Sequence, residues 1–236
     1  YRDDHILVIE KSGNLPCHPA GPFFKNTLWH LLCSQYGRLS IVNRLDRETS
    51  GLCIAALSSE SAKRFSELFE SGGILKKYAA LVFGKFEKEI DAEGFLIPDP
   101  DSQVRKKRRF LRISPPGSAD AEYCRTLLRP LHTDGRISLV EAVPSTGRLH
   151  QIRATLFSLG FPLLGDKLYG PDDNIYIRFV NGSMTASDAD SLILKRQALH
   201  AKYLEFIHPF SGEPCVFESP LPHDIQIGIT RVENPA

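Results

Sequence analysis

A single carboxylate, Asp46, stands between two guanidiniums in the run Asn43-Arg44-Leu45-Asp46-Arg47-Glu48-Thr49-Ser50-Gly51. Nearby positive charge favours the ionised form of an acid, so Asp46 should stay charged. The loop before a buried strand is a good place to hold a reactive side chain rigidly, and the apolar run Leu52 to Leu57 follows at once. Asp is also a common turn residue, so an Asx-turn or a surface ion pair competes with a chemical role. Partners further along the chain decide between them. Arg153 closes the run Gly147-Arg148-Leu149-His150-Gln151-Ile152-Arg153. Leu149, Ile152, Leu156 and Leu159 form one helical stripe that Arg153 borders. A guanidinium at the edge of a core needs a carboxylate or a phosphate, and Asp46 is the obvious candidate. A snorkelling surface arginine is the alternative. Tyr78, in Lys76-Lys77-Tyr78, is on its own better read as a packed structural tyrosine than as a catalytic one. Arg105-Lys106-Lys107-Arg108-Arg109, with Arg112 close behind, gives a local basic face in a chain of net charge +1. Such a run suits phosphate contacts, though it could equally be a solvated loop.

The elements that must position these groups show in the hydrophobic pattern. Strands are predicted at His5–Lys11, Leu52–Leu57, Lys77–Phe83, Glu122–Leu128, Ile137–Val143 and Leu199–Ile207. Helices are predicted at Thr27–Tyr36, with Leu28, Leu31 and Leu32 on one side, and at Leu149–Leu159. A further helix follows Ser58 or Ser59, with Ala62, Phe65, Leu68 and Phe69 as its stripe and Gly72-Gly73 as its stop. Residues 87–118 read as polar excursions with a short hairpin, and residues 171–189 as a loop or insertion. The order lacks regular strand–helix alternation, which favours an α+β fold with a mixed, largely antiparallel central sheet flanked by helices and loops. No linker divides the chain, so residues 1–236 are expected to form a single domain.

A chain of 236 residues can bury a sizeable core, and 42% hydrophobic with 24% charged residues argues against disorder. No apolar stretch approaches the roughly 20 residues that span a bilayer, so no membrane association is expected. The five cysteines are scattered and odd in number. They suit reduced thiols in a cytosolic protein better than a disulfide framework or a metal site.

Gly165-Asp166-Lys167-Leu168-Tyr169-Gly170 and Leu199-His200-Ala201, taken singly, read as turn chemistry or a strand edge. Together with the Asp46 run, the segment Lys76 to Gly84 and Gly147 to Arg153, they closely resemble the RluA-type pseudouridine synthases in order and approximate spacing. The resemblance covers about His5 to Pro220 and implies the catalytic fold of that family. It implies that Asp46 attacks a uridine at C1′ or C6, that Tyr78 packs under the uracil and serves in proton transfer, and that Arg153 keeps Asp46 ionised and oriented. Ile152 would support the ring, and Arg44 would fill the gap left by the extruded base, since C1′ and C5 cannot be worked on inside a stack. The implied partner is RNA, either tRNA or rRNA, held in part by Arg105, Lys106, Lys107, Arg108 and Arg109. No cofactor or metal is implied, and a cytoplasmic monomer is expected. Asn43 stands where the family usually has His, and Lys11-Ser12-Gly13-Asn14 replaces a Lys-Pro-x-Gly segment. The small RNA-binding module that precedes the catalytic domain in some members is absent from this sequence or was removed from it. Two other functions compete: a catalytically silent RNA-binding relative, and a carboxylate-dependent glycoside hydrolase, which would need a second acid at the site.

Overall fold

The computed structural model describes residues 1–114, 119–172 and 174–233. In chain order its elements are β1 (Ile6–Lys11), α1 (Leu28–Tyr36), β2 (Ser40–Ile41), β3 (Ser50–Ala56), α2 (Ser59–Glu70) and β4 (Ile74–Phe83). There follow β5 (Ile90–Pro98), β6 (Arg108–Leu111), β7 (Glu122–Thr133), β8 (Ile137–Pro144) and α3 (Gln151–Ser158). The chain ends with α4 (Asn174–Val180), α5 (Ala186–Leu192), β9 (Leu199–Ile207), β10 (Pro214–Glu218) and α6 (His223–Glu233). This is the expected mixed, largely antiparallel α+β architecture. None of the described helices is long and apolar enough to cross a membrane.

The residues cluster into two compact units, each discontinuous in sequence. Unit 1 takes residues 1–77 and 200–220, and unit 2 takes residues 78–199 and 221–236. In unit 1, β3 lies between β1, antiparallel to it, and β9, parallel to it, while β10 pairs β9 and β2 pairs β3. All seven residues of β3 are buried, which is why they read as one apolar run without alternation. Ile6, Val8, Leu52, Ile54, Phe65, Leu204 and Phe206 form the core there. Gly51, at φ +111°, sits where an added Cβ would lie 2.2 Å from the carbonyl oxygen of Ala201. Gly51→Ala is therefore expected to cost more than about 1 kcal/mol, because alanine fits neither the backbone angle nor the space. A fall in the thermal midpoint would show it.

Unit 2 orders its strands β4-β8-β7-β5-β6, each antiparallel to its neighbour. Its core gathers residues such as Ala80, Val82, Leu96, Leu128, Val140, Ile152, Leu156 and Tyr169.

Several expectations are corrected. The excursion at 87–118 contains a nine-residue strand, β5, that pairs β7 along its length and makes a hairpin with β6; residues 115–118 of that stretch lie outside the described residues. Ala92, Gly94 and Leu96 alternate inward, and small residues hide the pattern. The supposed loop at 171–189 holds α4 and the start of α5, with residue 173 outside the described residues. Thr185 starts α5 with a capping box to Asp188. Leu31 and Leu149 are exposed. On α1 the buried pair is Leu28 and Leu32, and Leu149 precedes α3, which begins two residues later than expected because His150 turns left-handed.

Candidate active site

Asp46 lies, half-buried, on the segment that joins β2 to β3, and the main chain on both sides of it is pinned. Asn43 donates from Nδ2 to the Leu52 carbonyl at 3.3 Å and accepts from the Ile54 N–H at 2.6 Å. Asn43 thereby fixes the entrance of the loop against β3. The Leu45 N–H donates to the sulfur of Cys17 at 3.4 Å, and that thiol donates back to the Leu45 carbonyl at 3.3 Å. A hydrogen bond from Cys53 holds the Cys17 thiol below its usual range, against the opposing effect of burial, with help from the Leu45 N–H and the charges of Lys11 and Arg44. The buried ammonium of Lys11 donates to the carbonyls of Ser12, Leu15 and Arg47, the last at 3.1 Å. Thr49 N–H closes a turn onto the Asp46 carbonyl at 3.1 Å. Ser50 Oγ then meets Nδ1 of the buried His200 at 3.0 Å. A loop gripped at so many points cannot drift, which is what a carboxylate needs if its work depends on placement. Of the flanking cations, Arg44 is exposed, while Arg47 lies over the Phe23 ring and 3.7 Å from Glu48.

Unit 2 carries Tyr78 and Arg153. Tyr78 is half-buried and packs against the core cluster that contains Ile152. Arg153 is 8% exposed. Its Nε donates to Asp166 Oδ2 at 2.7 Å and its Nη2 to Oδ1 at 2.9 Å, a two-pronged pair. Asp166, wholly buried, also accepts the N–H groups of Leu168 and Tyr169 at 3.0 Å each. Burial alone would raise the pKa of Asp166, but the charge and hydrogen bonds of Arg153 and the two main-chain donors hold it below the ordinary carboxylate value. The Tyr169 ring lies under the guanidinium, 4.9 Å from Cζ to ring centroid. Asp166 is thus a carboxylate for Arg153 that the sequence reading passed over as turn chemistry.

A model of the RNA pseudouridylate synthase family matches residues 5–158. Ribosomal large subunit pseudouridine synthase D of Nitrosomonas europaea is 33% identical over 99% of this chain and 64% of its own length. The protein of the same name from Zymomonas mobilis is 32% identical over 96% of this chain and 70% of its own.

The chain belongs to the RNA pseudouridylate synthase family.

The chain spans about two thirds of the length of these curated relatives. The fold agrees as well: human RNA pseudouridylate synthase domain containing 4 superposes with a TM-score of 0.72 at 24% identity, over 99% of this chain and 92% of that one.

The basic run 105–109 splits into two groups. Lys107 is buried, 3.6 Å from Asp99 and over the Phe157 ring, and Arg109 is bonded to both Asp99 and Asp101. Both were expected to meet RNA; instead each is engaged inside the hairpin, Lys107 because a buried cation needs a carboxylate of its own, and the partly exposed Arg109 through its two acidic neighbours. Arg105 and Lys106 are exposed at the tip, and half-buried Arg108 donates to the carbonyls of Arg105 and Lys107.

Proposed function

We propose that the chain converts uridine in RNA to pseudouridine, with Asp46 as the attacking carboxylate. The observation that carries this reading is the Asp46 loop itself: the family's Arg-Leu-Asp-Arg run, with its backbone pinned by Lys11, Cys17, Asn43 and Ser50. Asp46 attacks the extruded uridine, the bond from N1 to C1′ breaks, and the freed uracil turns. C5 then bonds to C1′, and the bond between substrate carbon and the Asp46 carboxylate breaks and returns its electron pair to the carboxylate. The C5 proton leaves and N1 gains one, so the reaction is an isomerisation. Tyr78 offers a ring for the uracil and a hydroxyl for the proton transfers, and Ile152 extends the apolar wall. The resemblance assigns Arg153, held by Asp166, to keeping the attacking carboxylate ionised, and Arg44 to the space the base vacates. Extrusion of the target base from its stack is a physical requirement of this chemistry. The two bacterial relatives carry names from the large ribosomal subunit. Ribosomal RNA in the cytoplasm is therefore the first substrate to test and tRNA the second.

The test is incubation with unmodified ribosomal RNA, followed by mass spectrometry for pseudouridine. Product from the wild type supports the reading; RNA binding without product indicates a silent relative. The exposed hairpin tip supplies cations for RNA phosphates, an attraction that weakens with salt. Replacing Arg105, Lys106 and Arg108 with Ala is expected to flatten the slope of log affinity against log salt by roughly one for each phosphate no longer neutralised. An unchanged slope excludes the hairpin from RNA binding.

A further inference from the structure

Tyr169, in the Gly165 to Gly170 segment, is fully buried, yet its hydroxyl is engaged on two sides. It accepts the main-chain N–H of Arg108, the first residue of β6, at 2.8 Å. It also meets Nδ1 of His150 at 3.1 Å. His150 stands immediately before α3 with a left-handed backbone, φ 57°, a conformation that a side chain resists. That turn sets the imidazole against the phenol, the two rings meeting edge to face. Arg153 follows one turn along α3, and the same Tyr169 supplies both the ring beneath its guanidinium and one of the N–H groups that hold Asp166. One side chain therefore joins the hairpin that carries the exposed cations to the helix that carries Arg153.

We propose that Tyr169 is a positioning residue whose hydroxyl fastens the basic hairpin to the start of α3, so that RNA gripped by Arg105, Lys106 and Arg108 is aligned with Arg153. The inference rests on the reading of the chain as an RNA pseudouridine synthase and adds a residue to it. Removing the hydroxyl leaves the ring and the main-chain N–H in place, so Arg153 keeps its setting while the start of β6 loses its tie to His150; the bond from the Phe110 N–H to Ser158 Oγ, further along β6, remains.

Tyr169→Phe isolates that hydrogen bond. Initial rates are measured by release of tritium from C5 of uracil in an unmodified large-subunit rRNA transcript. Four proteins are compared: wild type, Tyr169→Phe, the triple variant Arg105→Ala, Lys106→Ala, Arg108→Ala, and all four changes together. Tyr169→Phe is expected to raise KM about tenfold, as loss of one well-buried hydrogen bond can, with kcat within about twofold. Added to the triple variant, it should raise KM no further, because the tether then holds nothing that grips RNA. A KM unchanged by Tyr169→Phe while the triple variant raises it overturns the tether, as does additivity of the two. A triple variant with normal KM removes the hairpin's role and the tether with it. A wild type that releases no tritium shows that the underlying synthase reading has failed. Hydrogen exchange in the unmodified protein is a second test that needs no variant to fold. The Arg108 amide should exchange well behind those of Arg105 and Lys106, and equal rates would show that the bond to Tyr169 is not maintained.

Discussion

Exchanging Asp46 for Asn is expected to lower pseudouridine formation by roughly 10⁴-fold, the scale on which removal of a key active-site carboxylate acts. Asn keeps the shape of the side chain and removes its charge, and an amide is a poor nucleophile. The loop should survive the exchange. Lys11 on the Arg47 carbonyl, Cys17 on Leu45, Asn43 on β3 and Ser50 on His200 continue to grip it. RNA affinity and the thermal midpoint should therefore stay close to wild type while product disappears. Residual activity within a hundredfold of wild type would place the attacking group elsewhere.

Asp166→Ala is expected to act on stability first. Arg153 would be left buried without the carboxylate that takes two of its donors. Breaking a buried pair in this way costs about 3–5 kcal/mol, a fall in the midpoint of roughly 6–20 °C for a chain of this size. Catalysis should fall too, since the guanidinium loses its fixed orientation. The sign of the pH effect follows from the depressed pKa of Asp166. The folded state holds this carboxylate in its charged form more strongly than the unfolded chain does. Its contribution is present above the unfolded value, about 3.9, and is lost as pH falls through the lower folded value. Denaturant melts of wild type and Asp166→Ala should be furthest apart near neutral pH and converge below about pH 4. A gap that does not narrow in acid would mean that the pair is not what the substitution removed.

How much of this could be read from residues alone depended on the kind of signal. β3 announces itself as a dense apolar run and β9 by the inward alternation of Leu204 and Phe206, and Thr27 and Ser58 cap α1 and α2 as their types suggest. β5 was hidden, because Ala92 and Gly94 face inward and carry almost no hydrophobic weight while Asp91 and Glu93 face out. α5 has only one large buried apolar side chain, Leu192, and rests on its Thr185 capping box. Asp46, Tyr78 and Arg153 stand out as candidates because their neighbours in sequence form unusual patterns. Asp166 could not: its importance comes from a partner 13 residues earlier and from complete burial, and a Gly-Asp pair by itself looks like a turn. The basic run misled in the opposite direction. Asp99 and Asp101 stand in the sequence shortly before Lys107 and Arg109 and could have warned that two of the five cations were already spoken for.

The parallel pairing of β3 with β9 has a consequence for biosynthesis. Ser50 meets His200 across 150 positions of chain. A ribosome making this protein releases the Asp46 loop early, but the strand that completes its surroundings emerges only after all of residues 78–199. Contacts that distant form slowly, and an apolar strand left without a neighbour is prone to aggregation meanwhile. β1 covers one side of β3 during that wait. Chaperone dependence on the nascent chain should therefore persist until residue 207 has cleared the exit tunnel, and truncations before that point should yield insoluble product.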